Sequence, residues 1–381
     1  MKTTQFYSYI FFGIITALFA GYQIHIYNLK KSAQQDIDFI HQTFLENHPG
    51  VYNDQDPDFV KNMNTAYQDA RNSILSIKSA QDHEKTINSY LASFHDPHVI
   101  FFSKNVSYSN SSNPENIEFA ISSMPNDIVW ISLPTFQPSK EDQEKLKAII
   151  NQISQYQTSK LIVFDLRGNG GGCSEWGTQI IASLFGKDYA AQSFYALNKN
   201  IEVDWRASKD NLAHLSYILD CIKDEFGEGS LFFSEVKKIE AGVKQAYKEH
   251  KIFYTEYTPQ LIPHKNKLQN PITAKIVAIT SSRCASSCLT FIDELKAADP
   301  KTILIGQTTS ADTIYNEMRY IYLPSGLGKI QFPIKLYRNT PRGNNVPYIP
   351  NIPYPADINS EEAKNQWLLE TIQELSTMNS N

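Results

Sequence analysis

Hydrophobic and polar positions follow a helical period in the first quarter of the chain. Between residues 32 and 95, three polar segments carry apolar residues at helical spacing, the first through Ile37, Ile40 and Phe44. That segment stops at a His-Pro-Gly sequence, which is a helix-ending signal. The pattern predicts a helical N-terminal domain, to which we assign residues 31–103.

The period changes beyond residue 117, where short runs rich in β-branched and aromatic residues follow one another. The run KLIVFDL at 160–166 is apolar enough to form a buried central strand. Strands and helices then alternate, which predicts an α/β fold with much parallel pairing over residues 104–381. Residues 207–250 interrupt this alternation with two helices and are expected to form an inserted helical lid.

A long apolar run lies close to the N-terminus. Residues 6–27 contain no formally charged side chain unless His25 protonates, and the most apolar part, Ile10–Ala20, resembles the apolar region of a signal peptide. The whole run is also long enough to cross a bilayer as one helix. We therefore expect residues 1–30 to direct export to the periplasm or the cell exterior, as a removed signal peptide or a membrane anchor. A buried core helix is the alternative.

Composition and charge narrow the possible functions. Hydrophobic residues make up 41% of the chain, as in a folded globular protein, and the net charge is −5 with a pI near 6.0. The 35 Lys and Arg residues are scattered and form no basic stripe. This distribution argues against a nucleic-acid partner.

Four cysteines follow the export segment: Cys173, Cys221, Cys284 and Cys288. An even number in an exported protein permits two disulfides in three connectivities, and four buried free thiols are the alternative. We expect at least one disulfide, with Cys284 and Cys288 as the pair closest in sequence. No C-x-x-C pair occurs, and we expect no metal site.

The first segment that suggests chemistry is DLRGNGGG, from Asp165 to Gly172, between the predicted central strand and a helix. Glycines there let the backbone turn sharply and point N–H groups at an anion, and the helix N-terminus adds a favourable dipole. The segment fits neither G-x-G-x-x-G nor the P-loop pattern, so a phosphate loop is disfavoured. An oxyanion hole is the other use of such a turn, and it requires a nucleophile nearby.

The second segment, SSRCASSC at 281–288, also lies between a buried strand and a helix. A serine at that junction can expose its Oγ, and the N–H of the next residue can face an oxyanion. The alternative is that these serines cap the helix.

Together, these segments resemble parts of the C-terminal-processing (tail-specific) serine proteases, as do ILIGQTT, ENHPGVY and FHDPHVIFF, and the resemblance spans about residues 35–375. It implies a crotonase-like or ClpP-like core. It also implies a peptidase with Ser286, ahead of Ser287, as nucleophile, acting on a peptide or protein substrate without a cofactor. The N–H of Ser287 with that of Gly171 or Gly172 would form the oxyanion hole.

The general base departs from the common bacterial pattern of this family. Asp312 stands where those enzymes have a lysine, and no lysine occurs between Lys301 and Lys329. Tricorn-type relatives use a histidine instead, and His98 matches its position. Glu317 is the first candidate to orient that histidine and Asp312 the second. The alternatives are that His98 is a structural turn residue and that both carboxylates are ordinary surface groups.

Other functions are open on the same fold. A non-catalytic protein that binds a peptide or apolar ligand is the main alternative, because the lysine is missing. A crotonase-type acyl-CoA enzyme would use the same turns without a serine nucleophile. Only about twenty residues separate the Asp-x-His segment from the sheet, too few for a PDZ domain there, so selection of substrates by a free C-terminus is not expected.

Overall fold

A computed structural model describes residues 2–105, 117–257, 267–358 and 360–378, with side chains from residue 11 onward. The helices are α1 (Lys2–Asn47), α2 (Phe59–Ser73), α3 (Ala80–Ala92), α4 (Lys140–Gln152), α5 (Ser174–Phe185), α6 (Lys187–Asn198), α7 (Lys209–Phe226), α8 (Leu231–Lys248), α9 (Ser287–Ala298) and α10 (Glu361–Thr377). The strands are β1 (Ile100–Ser103), β2 (Ala120–Met124), β3 (Ile128–Ser132), β4 (Leu161–Asp165), β5 (Glu202–Arg206), β6 (Phe253–Tyr257), β7 (Lys275–Thr280), β8 (Ile303–Gly306), β9 (Tyr315–Tyr322), β10 (Gly328–Arg338) and β11 (Ile352–Pro353).

The chain divides into two compact units, each assembled from separate stretches of sequence. The first unit comprises residues 1–108, 203–256 and 315–337, and the second comprises 109–202, 257–314 and 338–381. The helices predicted as a lid, α7 and α8, therefore group with the N-terminal helices. This division differs from the predicted one at residue 104, because strands from late in the sequence complete the sheet of the first unit.

The first unit combines α1–α3, α7 and α8 with a five-stranded sheet. Strands run in the order β1-β10-β5-β6, and β9 pairs with β10. The apolar residues predicted to face the core of the first helical segment, Ile37, Ile40 and Phe44, are fully buried. Helix α3 begins at a capping box, in which Ser79 and Asp82 each accept a backbone N–H of the other.

The first half of α1 differs from its second half in burial. Apolar side chains such as Phe12, Leu18 and Phe19 are exposed, whereas Ile37, Ile40 and Phe44 of the second half are fully buried. Within the described part of the chain, no helix combines the length and hydropathy needed to span a membrane. The export function of residues 1–30 stays a prediction.

The second unit is built on a six-stranded sheet in the order β11-β8-β7-β4-β3-β2. All neighbouring pairs are parallel except β2 with β3. Every residue of β4 is buried, as predicted for the central strand. Apolar side chains of α10, among them Leu368 and Ile372, pack with Val163 and Val277 of the sheet. The α/β prediction is confirmed.

Candidate active site

The glycine-rich and serine-containing segments follow neighbouring strands of this sheet. Strands β4 and β7 pair in parallel, with Asp165 opposite Ile279, so the segments after them leave the sheet at the same edge. The Leu166 N–H donates to the Ile279 carbonyl at 3.0 Å, and the Gly168 N–H donates to Ser281 Oγ at 3.3 Å. The second unit therefore brings the two predicted segments into direct contact.

Ser286 stands immediately before α9 in a backbone conformation that serine rarely adopts. Its φ is 53° and its ψ is −125°, a region that costs a residue with a Cβ about 1–3 kcal/mol. The residue is half-buried, and its side chain makes no capping hydrogen bond to the helix. These observations argue against the capping alternative. A strained turn between strand and helix that leaves a serine hydroxyl uncommitted is typical of a nucleophile.

Ser287 has a structural use for its hydroxyl. The side chain is buried, and Oγ donates to the Gly172 carbonyl at 2.6 Å, which ties the serine turn to the glycine turn. Its backbone N–H belongs to the first turn of α9, where helix N–H groups have no intrahelical acceptor. The positive end of the helix dipole lies there too, so this N–H suits an anion.

Close approach of neighbouring backbone requires glycine at two positions of the glycine-rich turn. The φ angles of Gly171 and Gly172 are 95° and 133°. A Cβ on Gly171 would lie 2.8 Å from the Cβ of Ser286, and a Cβ on Gly172 would lie 2.2 Å from the carbonyl carbon of Phe136. Any side chain at either position would displace the backbone.

The two predicted oxyanion donors differ in their hydrogen bonds. The Gly171 N–H donates to Asn169 Oδ1 at 3.0 Å. Gly172 lies opposite Phe136 in a parallel bridge, and the two residues that flank Gly172 make the hydrogen bonds to Phe136. The N–H and carbonyl of Gly172 itself therefore point to the side away from Phe136. Its carbonyl meets Ser287 on that side. The geometry thus favours Gly172 over Gly171 as a donor to an oxyanion.

Asn169 was not singled out from the sequence, although it organises the glycine turn. The side chain is fully buried, and Nδ2 donates to the Leu133 carbonyl at 2.8 Å while Oδ1 accepts the Gly171 N–H. The signal available was its position: asparagine within a glycine-rich turn commonly hydrogen-bonds to the backbone two residues on.

A disulfide joins Cys284 and Cys288, as predicted, with an S–S distance of 2.01 Å. Both side chains are fully buried, and Cys173 and Cys221 lie outside this disulfide. The bond encloses Ser286 at the centre of a five-residue loop.

The predicted base, His98, lies in the first unit beside a carboxylate. Asp96 Oδ1 accepts the backbone N–H of His98 at 2.9 Å. The same oxygen lies 3.1 Å from His98 Nδ1, which is within ion-pair distance, but the orientation of the ring does not meet hydrogen-bond geometry. Both side chains are buried, and the His98 carbonyl accepts Gln331 Nε2 at 3.2 Å. Sequence reasoning overlooked this role for Asp96, although an aspartate two residues before a histidine is the pattern of such a turn.

The two carboxylates chosen from the sequence to orient His98 belong to different units. Glu317, with φ 60°, lies 3.9 Å from Lys335 Nζ within the first unit. Asp312 is buried in the second unit, and its carbonyl accepts the Asn345 N–H at 2.8 Å. The structure places the carboxylate of Asp96 at His98 Nδ1, and orientation of His98 by Glu317 stays a prediction.

The chain is similar to several solved structures, and two structures of mature CPAF support the fold. Mature CPAF has a TM-score of 0.57 at 9% identity, covering 91% of this chain and 97% of that one. Mature CPAF complexed with lactacystin has a TM-score of 0.57 at 11% identity, covering 91% and 98%. The photosystem II D1 C-terminal processing protease has a TM-score of 0.40 at 10% identity, covering 91% and 97%. No curated protein matches the chain.

The family is shown by sequence. A model of peptidase family S41 matches residues 127–347. The matched region is more than half of the chain and includes the glycine-rich turn and the turn that contains Ser286. The chain therefore belongs to peptidase family S41, a family of serine-type peptidases.

Proposed function

We propose that this peptidase cleaves peptide or protein substrates with Ser286 as nucleophile, His98 as general base and an oxyanion hole formed by the N–H groups of Ser287 and Gly172. The single observation that carries the proposal is the backbone of Ser286, strained at φ 53°, with a side chain that makes no capping hydrogen bond. Such strain persists only where the surroundings enforce it, and it clusters at active sites.

The reaction follows from these roles. Ser286 Oγ attacks the scissile carbonyl, and its proton passes to His98 Nε2 while the carbonyl oxygen becomes an oxyanion. The two N–H donors stabilise that charge, and His98 then gives the proton to the departing amine, which leaves an acyl-enzyme. Water, deprotonated by His98, attacks the ester and releases the acid product and Ser286.

We propose Asp96 as the group that orients His98, in place of Glu317. Its carboxylate lies 3.1 Å from Nδ1, so it would hold a proton on that nitrogen and leave Nε2 to accept the serine proton. Support for His98 itself comes from the resemblance of its segment to the histidine segment of tricorn-type relatives.

The experiment compares three alanine variants on fluorescein-labelled casein, an unstructured substrate. Ser286→Ala should lose at least ~10³-fold in turnover and His98→Ala at least ~10²-fold, each with an unchanged circular dichroism spectrum. Ser287→Ala is the matched control, because it removes only the hydrogen bond to Gly172 and should lose less than about tenfold. Wild-type turnover in Ser286→Ala would show that the nucleophile is another residue.

We also propose that the protein is exported, with residues 1–30 as a signal peptide or an anchor through residues 6–27. Exposed apolar side chains in the first half of α1 and a disulfide, which is favoured in oxidising compartments, support this. Cell fractionation followed by the intact mass of the isolated protein tests it. A full-length protein confined to the reducing cytoplasm would contradict it.

A further inference from the structure

The disulfide encloses the residue whose backbone is strained. Cys284 and Cys288 lie two residues before and after Ser286, and the chain between them contains only Ala285, Ser286 and Ser287. Closing so short a loop removes little entropy from the unfolded chain, so a general stabilising role explains this placement poorly. A local constraint on the turn explains it better.

Backbone hydrogen bonds hold the two ends of this loop. The Cys284 N–H donates to the Ser281 carbonyl, and the Cys284 carbonyl accepts the Ser310 N–H, both at 3.0 Å. On the other side, the Cys288 N–H donates to the Ala285 carbonyl at 3.1 Å as α9 begins. The first end is thus attached to the loop after β8 and the second end to a helix.

In the middle of the loop, the Ser286 carbonyl accepts the N–H groups of Leu289 and Thr290 as α9 begins. Among the described residues, the side-chain tether of this part to the rest of the unit is Ser287 Oγ on the Gly172 carbonyl. Ser286 needs a positive φ that serine disfavours, and relaxation of φ to a negative value would rotate its side chain and the N–H of Ser287. The covalent bond fixes the separation of the two loop ends at a Cα–Cα distance of 5.4 Å and so restricts this relaxation.

We propose that the Cys284–Cys288 disulfide is a positioning element for the nucleophile, and that its reduction lowers the rate of acylation. The inference rests on the proposed role of Ser286. In the reduction step, a dithiol such as dithiothreitol transfers two electrons and two protons to the S–S bond. Cys284 and Cys288 become thiols, and the dithiol closes into its own cyclic disulfide. Peptidase activity would thereby depend on the redox state of the compartment.

The primary test compares the oxidised wild type with the Cys284→Ala/Cys288→Ala variant, using kcat, KM and the rate of labelling by a fluorophosphonate probe. Because the disulfide sets the geometry of the nucleophile and not the substrate contacts, kcat and the labelling rate should fall at least tenfold, while KM stays within threefold. Cys221→Ala, which removes an exposed free thiol, is the matched control and should match the wild type. Assays run at a temperature where circular dichroism shows each protein folded.

Reduction of the wild type provides a second measurement that needs no substitution. Activity should fall on incubation with dithiothreitol to the level of the double variant and return on reoxidation, and the double variant should not respond. A double variant with kcat and labelling within twofold of the wild type would overturn the inference. That outcome differs from failure of the proposed function, in which Ser286→Ala would leave the activity of the oxidised protein intact.

Discussion

Alanine substitutions along the glycine turn separate the chemistry of the site from its folding. Gly170, Gly171 and Gly172 are consecutive, but an added Cβ meets different surroundings at each. At Gly170 it meets nothing within 4 Å, so Gly170→Ala should change stability by less than ~1 kcal/mol. At Gly171 it would lie 2.8 Å from Ser286 Cβ and 2.9 Å from the Ser287 nitrogen. Gly171→Ala therefore pushes directly on the nucleophile and on an oxyanion donor.

The magnitudes follow from these contacts. Misalignment of one oxyanion donor costs ~10²–10³ in kcat, and a positive φ costs alanine about 1–3 kcal/mol. Gly171→Ala should therefore lose at least ~10² in kcat/KM with a moderate loss of stability. Gly172→Ala should lose activity and also the most stability, because its Cβ would lie 2.2 Å from the rigid backbone of Phe136.

The assay measures kcat/KM on labelled casein and the thermal midpoint by circular dichroism for all three variants. Gly170→Ala should keep kcat/KM and the thermal midpoint near those of the wild type. Gly171→Ala should lose mainly kcat/KM, and Gly172→Ala should lose both kcat/KM and thermal stability. If Gly171→Ala retained kcat/KM within threefold of Gly170→Ala, the close approach between the turns would not matter to catalysis, and the proposed oxyanion hole would be refuted.

Three further predictions concern the base, pH dependence and redox state. Asp96→Asn should lower kcat at least tenfold, because it removes the charge beside His98 Nδ1. Glu317→Gln should change kcat less than threefold. Equal losses of kcat in the two variants would contradict the assignment of Asp96. Burial raises the pKa of Glu294 from its ordinary 4.5 to about 8 and outweighs the hydrogen bond from Thr178, which lowers the pKa. Since the folded state then holds a proton that the unfolded state has lost, this contribution to stability is full below pH 4.5 and is lost as pH rises to about 8. Glu294→Gln should flatten the fall of the thermal midpoint between pH 5 and pH 8, and an unchanged slope would refute this origin. Under denaturing conditions without reductant, iodoacetamide should modify two cysteines of the full-length chain, and four after reduction; four in both samples would exclude the disulfide.

Local patterns in the sequence were enough to predict the core and the two turns. Strand β4 is apolar from Leu161 to Phe164 because both of its faces are covered, and the glycine and serine segments each lie between a strand and a helix. The family resemblance implied that the two turns meet, and the parallel pairing of β4 with β7 accounts for it, since the ends of adjacent parallel strands meet at one edge of the sheet. The Cys284–Cys288 pairing was also accessible, because only four positions separate the two residues.

Features set by contacts distant in sequence could not be predicted in this way. The first unit recruits β9 and β10 from beyond residue 314, so a linear division at residue 104 did not reproduce the observed units. Glu317 was chosen from the sequence to orient His98, whereas in the structure its carboxylate lies 3.9 Å from Lys335 on the paired strand. The hydrogen bond from Gly171 to Asn169 depends on the exact course of the turn, which glycine-rich sequence leaves open.

The central claim is that Ser286 is the nucleophile, and the most direct measurement is the site of covalent labelling by a fluorophosphonate probe. Trypsin cleaves after Arg283 and Lys296, so Ser286 lies in the single peptide Cys284–Lys296. Mass spectrometry of the labelled wild type should find one phosphonyl group on this peptide, with fragment ions that assign it to Ser286. Ser287→Ala should still be labelled, and Ser286→Ala should not. A probe adduct on another residue, or undiminished labelling of folded Ser286→Ala, would contradict the claim.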